Sequence, residues 1–248
     1  MTLEDRLDLQ LGEFEANRPV VVFSSAASMY SHFREKTGDH LLKLCDYFQD
    51  ISSSRDVLIP SFPKGAVENF VDLDSRQSAN GMLSEAFRGR FAHNRTKSAF
   101  FPFTVVGPSS ESLFRLEPRH AWGAGSVYEW LERNDAVIVT IGLPTYVCSF
   151  QHRAEYLEKD KVHYREFITR EGTLNVRSTN FAFRETLFTR RAGVNVDFRP
   201  ITPFLSEVGQ IVEKFDNITI SSVSSRRKLN LVREMIRADP GAFVKGEK

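Results

Sequence analysis

The chain has 248 residues, 41% hydrophobic and 26% charged, the balance of a globular protein with enough apolar material to bury a core. Its 33 Lys and Arg against 32 Asp and Glu leave a net charge of +1, so no overall field draws it to nucleic acid or to an anionic membrane. No apolar run approaches the about 20 residues of a membrane span, and the acidic, polar start is unlike a signal peptide, so the expected location is the cytoplasm. Cys45 and Cys148 are too few for a disulfide framework or a four-thiolate metal site, which leaves two reduced thiols and no metal as the expectation.

Residues 20–23 are β-branched and aromatic and read as a strand. They run into a small-residue turn from Ser24 to Ser28, then a helical stretch over 30–48. Strand, small-residue loop and helix is the order of an α/β unit. A second strand over 56–59 is halted by Pro60, and a long loop carrying Pro63 and Gly65 leads to a short helix over 81–88, with Ser78 or Asn80 as its cap. Residues 100–106 read as a strand stopped by Gly107 and Pro108, residues 111–116 and 127–132 as short helices, and 136–141 as a buried strand.

That strand ends at Gly142-Leu143-Pro144, and the pattern then reads as a helix over 146–159, followed by strands at 163–169 and 173–176. In the last third we expect strands at 193–198 and 218–223 and helices at 204–215 and 226–237. The basic run Arg226, Arg227, Lys228 lies at the edge of that last helix, whose Leu229, Val232 and Ile236 repeat at helical spacing; it reads as a solvated helix end. No linker-like stretch interrupts the chain, so residues 1–248 are expected to form one compact domain.

The segment richest in chemistry is 142–155, where Ser149, His152 and Glu155 follow a buried strand at intervals of three. On one helix these three share a face, and a carboxylate beside an imidazole fixes its tautomer and stabilises its protonated form, which suits a general base near neutral pH. Spacing alone leaves alternatives open: a solvated polar pair, a metal ligand set that lacks a further ligand, or Cys148 as nucleophile against Cys148 as a small buried thiol.

Several segments together are similar to the aminoglycoside 3-N-acetyltransferase family across about residues 20–167. The family's catalytic helix carries Thr-x-x-His-x-x-Glu after a strand that ends in Gly; here Gly142 is followed by Ser149-x-x-His152-x-x-Glu155. The stretch from Asn80 to Arg88 resembles the family's Met-Gly-x-Leu-x-Glu-x-Phe-Arg, and that from Trp122 to Leu131 resembles Gly-x-Gly-Ser-Pro-Tyr-x-x-Leu. His163-Tyr164-Arg165 looks like the Tyr-Arg that follows the family's helix.

The resemblance implies an α/β fold with a mixed central sheet flanked by helices. It implies acetyl-CoA or another acyl-CoA as co-substrate and an amino group of an amino sugar or aminoglycoside as acceptor, the chemistry of antibiotic resistance. His152 becomes the base, with Glu155 and Ser149 beside it, and Ser24, Ser25, Gly81, Met82 and Arg95 fall where the donor is bound. An acceptor site for a polycation calls for carboxylates, for which Asp72, Asp74 and Glu166 are the candidates.

Two departures stand out: Phe23 occupies the place of a family His before the paired serines, and Ser98-Ala99 replaces a family His-Pro. Both fall where acyl arm and acceptor approach, and the chain has no dense acidic run. An amino sugar linked to a nucleotide, for surface polysaccharide, is therefore an alternative acceptor, and a non-catalytic scaffold that keeps the fold is a further alternative.

Overall fold

The computed structural model describes residues 1–245. Its elements run α1 (Leu3–Gly12), β1 (Val20–Ser24), α2 (Ala26–Phe33), α3 (Thr37–Ile51), β2 (Val57–Pro60), β3 (Phe70–Asp72), α4 (Met82–Arg90), β4 (Phe103–Val106), α5 (Ser110–Phe114), α6 (Val127–Arg133) and β5 (Val137–Ile141). Then come α7 (Gln151–Leu157), β6 (Arg165–Val176), β7 (Thr179–Arg190), β8 (Ile211–Phe215), β9 (Ile218–Ser224) and α8 (Ser225–Ala238). Six strands form one sheet in the order β4-β2-β1-β5-β9-β8, and β3-β6-β7 form a second.

The large sheet is mixed: β1 pairs in parallel with β2 and β5, while β4, β9 and β8 join antiparallel. Alternate residues of its strands enter opposite cores. Val21, Phe23, Leu58 and Ile138 pack with α6, α7 and α8, whereas Val20, Val22, Val57 and Val139 pack with α1, α3 and α4. Helices on both faces explain why β1, β2 and β5 read as continuous apolar runs.

At the end of β5 the chain turns at Gly142, whose φ of 68° and contact with α2 both require glycine. A Cβ there would lie 2.7 Å from Ser28 Cβ, and Ser28 Oγ donates to the Gly142 carbonyl at 2.7 Å. The small-residue turn after β1 is thus sewn to the loop that leads into α7.

Several expectations change. The stretch read as one helix over 30–48 is α2 and α3 joined by a 3₁₀ turn at Arg34–Lys36. The expected loop before α4 contains β3, and α4 is capped by Gly81 without a side-chain bond, Asn80 instead accepting from Phe62 N at 2.7 Å. The helix read over 146–159 is only α7; before it, the chain makes a turn in which Val147 N donates to Pro144 O and Gln151 Nε2 to Tyr146 O. Residues 193–198 are irregular save for a single bridge from Val196 to Val244.

The helix expected over 204–215 is a 3₁₀ turn over Arg199–Phe204 and the strand β8, because Pro203 and the positive φ of Gly209 break the spacing. The basic run of α8 starts that helix: Arg226 and Arg227 are exposed, but Lys228 is buried and donates to Thr145 O at 3.1 Å, bracing the loop before α7.

Candidate active site

Of the three residues expected on one helical face, only His152 and Glu155 share it. They lie in the first turns of α7, and Glu155 Oε2 accepts from His152 Nδ1 at 2.7 Å. The Glu155 side chain is fully buried and that of His152 is 29% exposed, so the carboxylate acts only through its partners while the imidazole faces solvent. With the Nδ1 proton directed at Glu155, Nε2 is left as the ring's acceptor.

A third group completes the pair. Arg165, at the start of β6, reaches Glu155 Oε2 at 2.7 Å, lies 2.8 Å from His152 Nδ1, and donates through Nη1 to Phe188 O at 2.9 Å. Oε2 therefore receives both N–H groups. Burial pushes the Glu155 carboxyl up, but the His152 bond and the charges of His152 and Arg165 outweigh it and hold the group below the ordinary carboxylate value. Tyr164 sits against the same carboxylate, and burial followed by that negative charge pushes its phenol up. Sequence reasoning found Tyr164-Arg165 as a motif but gave it no role; the contact joins residues on different elements.

His152 forms the wall of a cleft of about 500 Å³, with Trp122, Phe101, Phe198, Arg165 and Arg190 around it. Trp122 stands edge-on to the imidazole at 5.6 Å between ring centres, and Phe198 lies at 5.9 Å. Trp122 is delivered by the segment before it, since Ala121 N donates to Thr186 O at 3.0 Å on β7.

Ser149 faces a different space. It belongs to the turn before α7, bonds the Tyr128 hydroxyl at 2.8 Å, and lines a second cleft of about 410 Å³. Phe23, Ser24, Phe62, Asn80, Gly81 and Leu143 are among that cleft's other walls. Phe101, which lines the cleft of His152, packs edge-on to Phe62 of the second cleft at 5.1 Å and against Trp122 at 4.8 Å. Cys148 lines the second cleft as a buried free thiol within the core.

The residues expected at the donor divide in the same way. Ser24 and Gly81 line the second cleft, and Ser24 Oγ is buried without a hydrogen-bond partner. Ser25 instead caps α2 through Ser28 N, and its own N–H donates to Ile141 O at 2.9 Å. Met82 opens α4 and packs on the core behind it. Arg95 is a pin rather than a ligand: it is buried and donates to the carbonyls of Ser61, Leu73 and Arg76, and burial lowers its pKa to about 10.

The expected acceptor carboxylates do not line the cleft of His152 either. Asp72 accepts from Ser75 Oγ and Asn175 Nδ2. Asp74 accepts from the backbone N–H groups of Arg177 and Ser178, which turn the β6–β7 hairpin with φ of 53° and 55°. Glu166 is exposed and pairs across the ladder with Thr189, a residue of the cleft edge, but is not itself part of the lining.

The segment that departs from the family is held by a carboxylate unseen in the sequence. Glu185 of β7 is buried and accepts from Ser98 Oγ at 2.9 Å and Ala99 N at 3.1 Å, and Ser98 Oγ in turn accepts from Phe101 N at 2.9 Å. Burial raises its pKa to about 7 despite those bonds.

The second cleft fits the pantetheine arm of an acyl-CoA on the chemistry of its walls. Phe23, Phe62, Leu143 and Val147 are apolar, the buried Ser24 hydroxyl has no partner, and Gly81, with a φ of 97°, puts the N-terminus of α4 at the cleft wall. Among the described residues no group of three or more His, Cys, Asp or Glu side chains is arranged to hold a metal ion, and no helix is long and apolar enough to cross a membrane.

The aminoglycoside 3-N-acetyltransferase family model matches residues 43–237, well over half of the chain and further toward its end than the motifs read from sequence. Among solved structures, the chain is similar to AAC-IIIb in a binary complex with CoASH: 14% identity, 100% of this chain and 99% of that one covered, and a TM-score of 0.75. Sisomicin-bound AAC-VIa is similar at 14% identity over 95% of this chain and 97% of that one, with a TM-score of 0.72. The YokD protein from Bacillus subtilis is similar at 13% identity over 96% and 94%, with a TM-score of 0.71. A search of curated protein sequences finds no match. The chain thus belongs to the aminoglycoside 3-N-acetyltransferase family and is an acyl-CoA-dependent N-acyltransferase with acetyl-CoA or another acyl-CoA as co-substrate.

Proposed function

We propose that this enzyme transfers an acyl group, acetyl in the first instance, to an amino group of an amino sugar, with His152 as general base. The observation that carries the reading is the 2.7 Å bond from His152 Nδ1 to the buried Glu155, which leaves Nε2 as the basic atom at the wall of a cleft. Bound acyl-CoA supplies the thioester carbonyl that the amine attacks. Sisomicin bound to AAC-VIa and a gentamicin bound to an AAC(3)-IVa mutant are amino-sugar ligands of similar folds, which supports this acceptor class.

His152 Nε2 takes the proton that the attacking nitrogen must lose, and as the tetrahedral species collapses the C–S bond breaks and the proton goes to the departing coenzyme A thiolate. Glu155 then faces an imidazolium, and its ionised, desolvated carboxylate stabilises that charge where water screens it little. Arg165 keeps the carboxylate from turning away, since Oε2 is shared between both donors. The catalytic helix needs a rigid seat for this, and Arg153 provides one by pairing with Glu132 at 2.7 Å and donating to Trp122 O.

The tetrahedral oxygen needs a hydrogen-bond donor. The Ser149 hydroxyl, on the donor side and oriented by Tyr128, is the side chain we assign, because the N–H of Ser25 is already taken by β5.

His152→Ala, assayed by thiol release from acetyl-CoA with a panel of amino sugars, is expected to lower kcat by ~10²- to 10⁴-fold. Wild-type turnover in that variant removes His152 from the role. A thermal shift with coenzyme A, retained in the variant, separates loss of chemistry from loss of donor binding; no shift in the wild type is the outcome of a scaffold that only keeps the fold.

A further inference from the structure

The charge around His152 is the reverse of what a polycationic acceptor needs. Among the described residues no Asp or Glu lines the cleft, whereas Arg165 and Arg190 both do. Arg165 is committed to Glu155, but Arg190, its neighbour across the β6–β7 ladder, is exposed and forms no side-chain hydrogen bond or ion pair among the described residues. Asp197, between the lining residues Val196 and Phe198 in the chain but not itself in the lining, is held by Arg199 at 2.6 Å and Lys245 at 3.4 Å, and its pKa is lowered to about 2 chiefly by the Arg199 bond. Glu166 stands outside the lining, opposite Thr189, and reaches no cation within salt-bridge distance among the described residues.

The remaining walls, Phe101, Trp122, Leu187, Val196 and Phe198, are apolar and mostly aromatic. A free guanidinium at the rim, apolar faces below it and a base at the wall form a site for a molecule that is an amine at one end and an anion at the other. A guanidinium presents a planar fork of N–H donors that matches phosphate oxygens.

Resting on the reading of His152 as base, we infer that the acceptor is an amino sugar bearing a phosphate ester, bound with its phosphate on Arg190 and its amine at His152. The phosphate belongs either to a simple sugar phosphate or to the diphosphate of a nucleotide-linked sugar. The same arrangement disfavours aminoglycosides, whose ammonium groups meet Arg190 and find no carboxylate in the lining.

The test measures thiol release from acetyl-CoA with glucosamine, glucosamine 6-phosphate, UDP-glucosamine and kanamycin, in the wild type, Arg190→Glu and Glu166→Gln. The expected result is a kcat/KM at least tenfold higher for one or both phosphorylated acceptors than for glucosamine or kanamycin. That preference shrinks tenfold or more in Arg190→Glu and falls with added salt. The two phosphorylated arms tell a sugar phosphate from a nucleotide-linked sugar.

A preference for kanamycin that weakens in Glu166→Gln and is untouched or improved in Arg190→Glu overturns the inference and returns Glu166 to the acceptor role. Calorimetric titration of the same acceptors reads the charge preference without chemistry. Phosphate-dependent binding that Arg190→Glu abolishes supports it, and equal or absent binding of phosphorylated and plain glucosamine overturns it. Failure of the underlying reading looks different: His152→Ala then turns over normally whichever acceptor is preferred.

Discussion

Glu155 and Glu185 are both buried carboxylates that anchor neighbouring parts of the candidate active site, and their protons are held in opposite ways. Glu155 faces His152 and Arg165, and its pKa is depressed; Glu185 faces only a hydroxyl and backbone N–H groups, and burial raises its pKa to about 7. Desolvation acts on both in the same direction. What separates them is whether a cation shares the site, and this decides that one is a permanent charge and the other a group that titrates near neutrality.

The sharpest way to break the comparison is to take the charge from Glu155. Glu155→Gln leaves Arg165 buried beside a neutral amide, a change expected to cost ~3–5 kcal/mol of stability and to depress kcat together with it. Urea unfolding and thiol-release kinetics measure the two effects. Adding Arg165→Met removes the stranded cation, so the double variant is expected to regain stability without regaining turnover; joint recovery shows that Glu155 serves the fold alone.

Next in size is the pH dependence. Because the folded pKa of Glu185 lies above its unfolded value of about 4.5, its contribution is fully present below that unfolded value and is lost as pH rises through about 7. Stability attributable to this group therefore declines from pH 4.5 to 7, by on the order of a few kcal/mol for a shift of this size. Glu185→Gln is expected to flatten the urea midpoint over that interval relative to the wild type, and an unchanged slope shows that the carboxyl titrates normally. Glu155 works the other way, its contribution being present above its unfolded pKa and lost as pH falls through the depressed folded one.

The smallest effect is expected at Ser149→Ala. Loss of one hydrogen bond to Tyr128 costs about 1 kcal/mol of stability, while kcat falls if the hydroxyl serves the tetrahedral oxygen. Comparing it with Tyr128→Phe, which keeps the serine, separates the two contributions by their kcat.

The same contrast explains what could be read from sequence. Strands β1, β2 and β5 of the large sheet, buried on both faces, announced themselves as apolar runs, whereas the half-buried edge strand β8 did not; Gly142 and the His152–Glu155 spacing marked the turn into α7 where those two side chains meet. The hairpin β6–β7 was half missed. Phe181, Phe183 and Leu187 alternate as a strand should, but the position between the last two is the charged Glu185, and the tight turn uses Arg177 and Ser178 where glycine or asparagine would signal it.

That turn is stabilised by Asp74, about a hundred positions earlier, which the polycationic acceptor implied by the resemblance made a candidate for binding a substrate. Arg165 likewise acquired its role only through a partner on another element. Side chains that work within one helix or one strand were legible; those that work across the fold were visible only as residue types.

Phe101 carries one more consequence. Its ring lies between Phe62, which lines the second cleft, and Trp122, which lines the cleft of His152, and its backbone is tethered through Ser98 to Glu185. A ligand that displaces this ring from one cleft is expected to change affinity in the other, and such a linkage is reciprocal: whatever factor one ligand contributes to the other's affinity, the other returns.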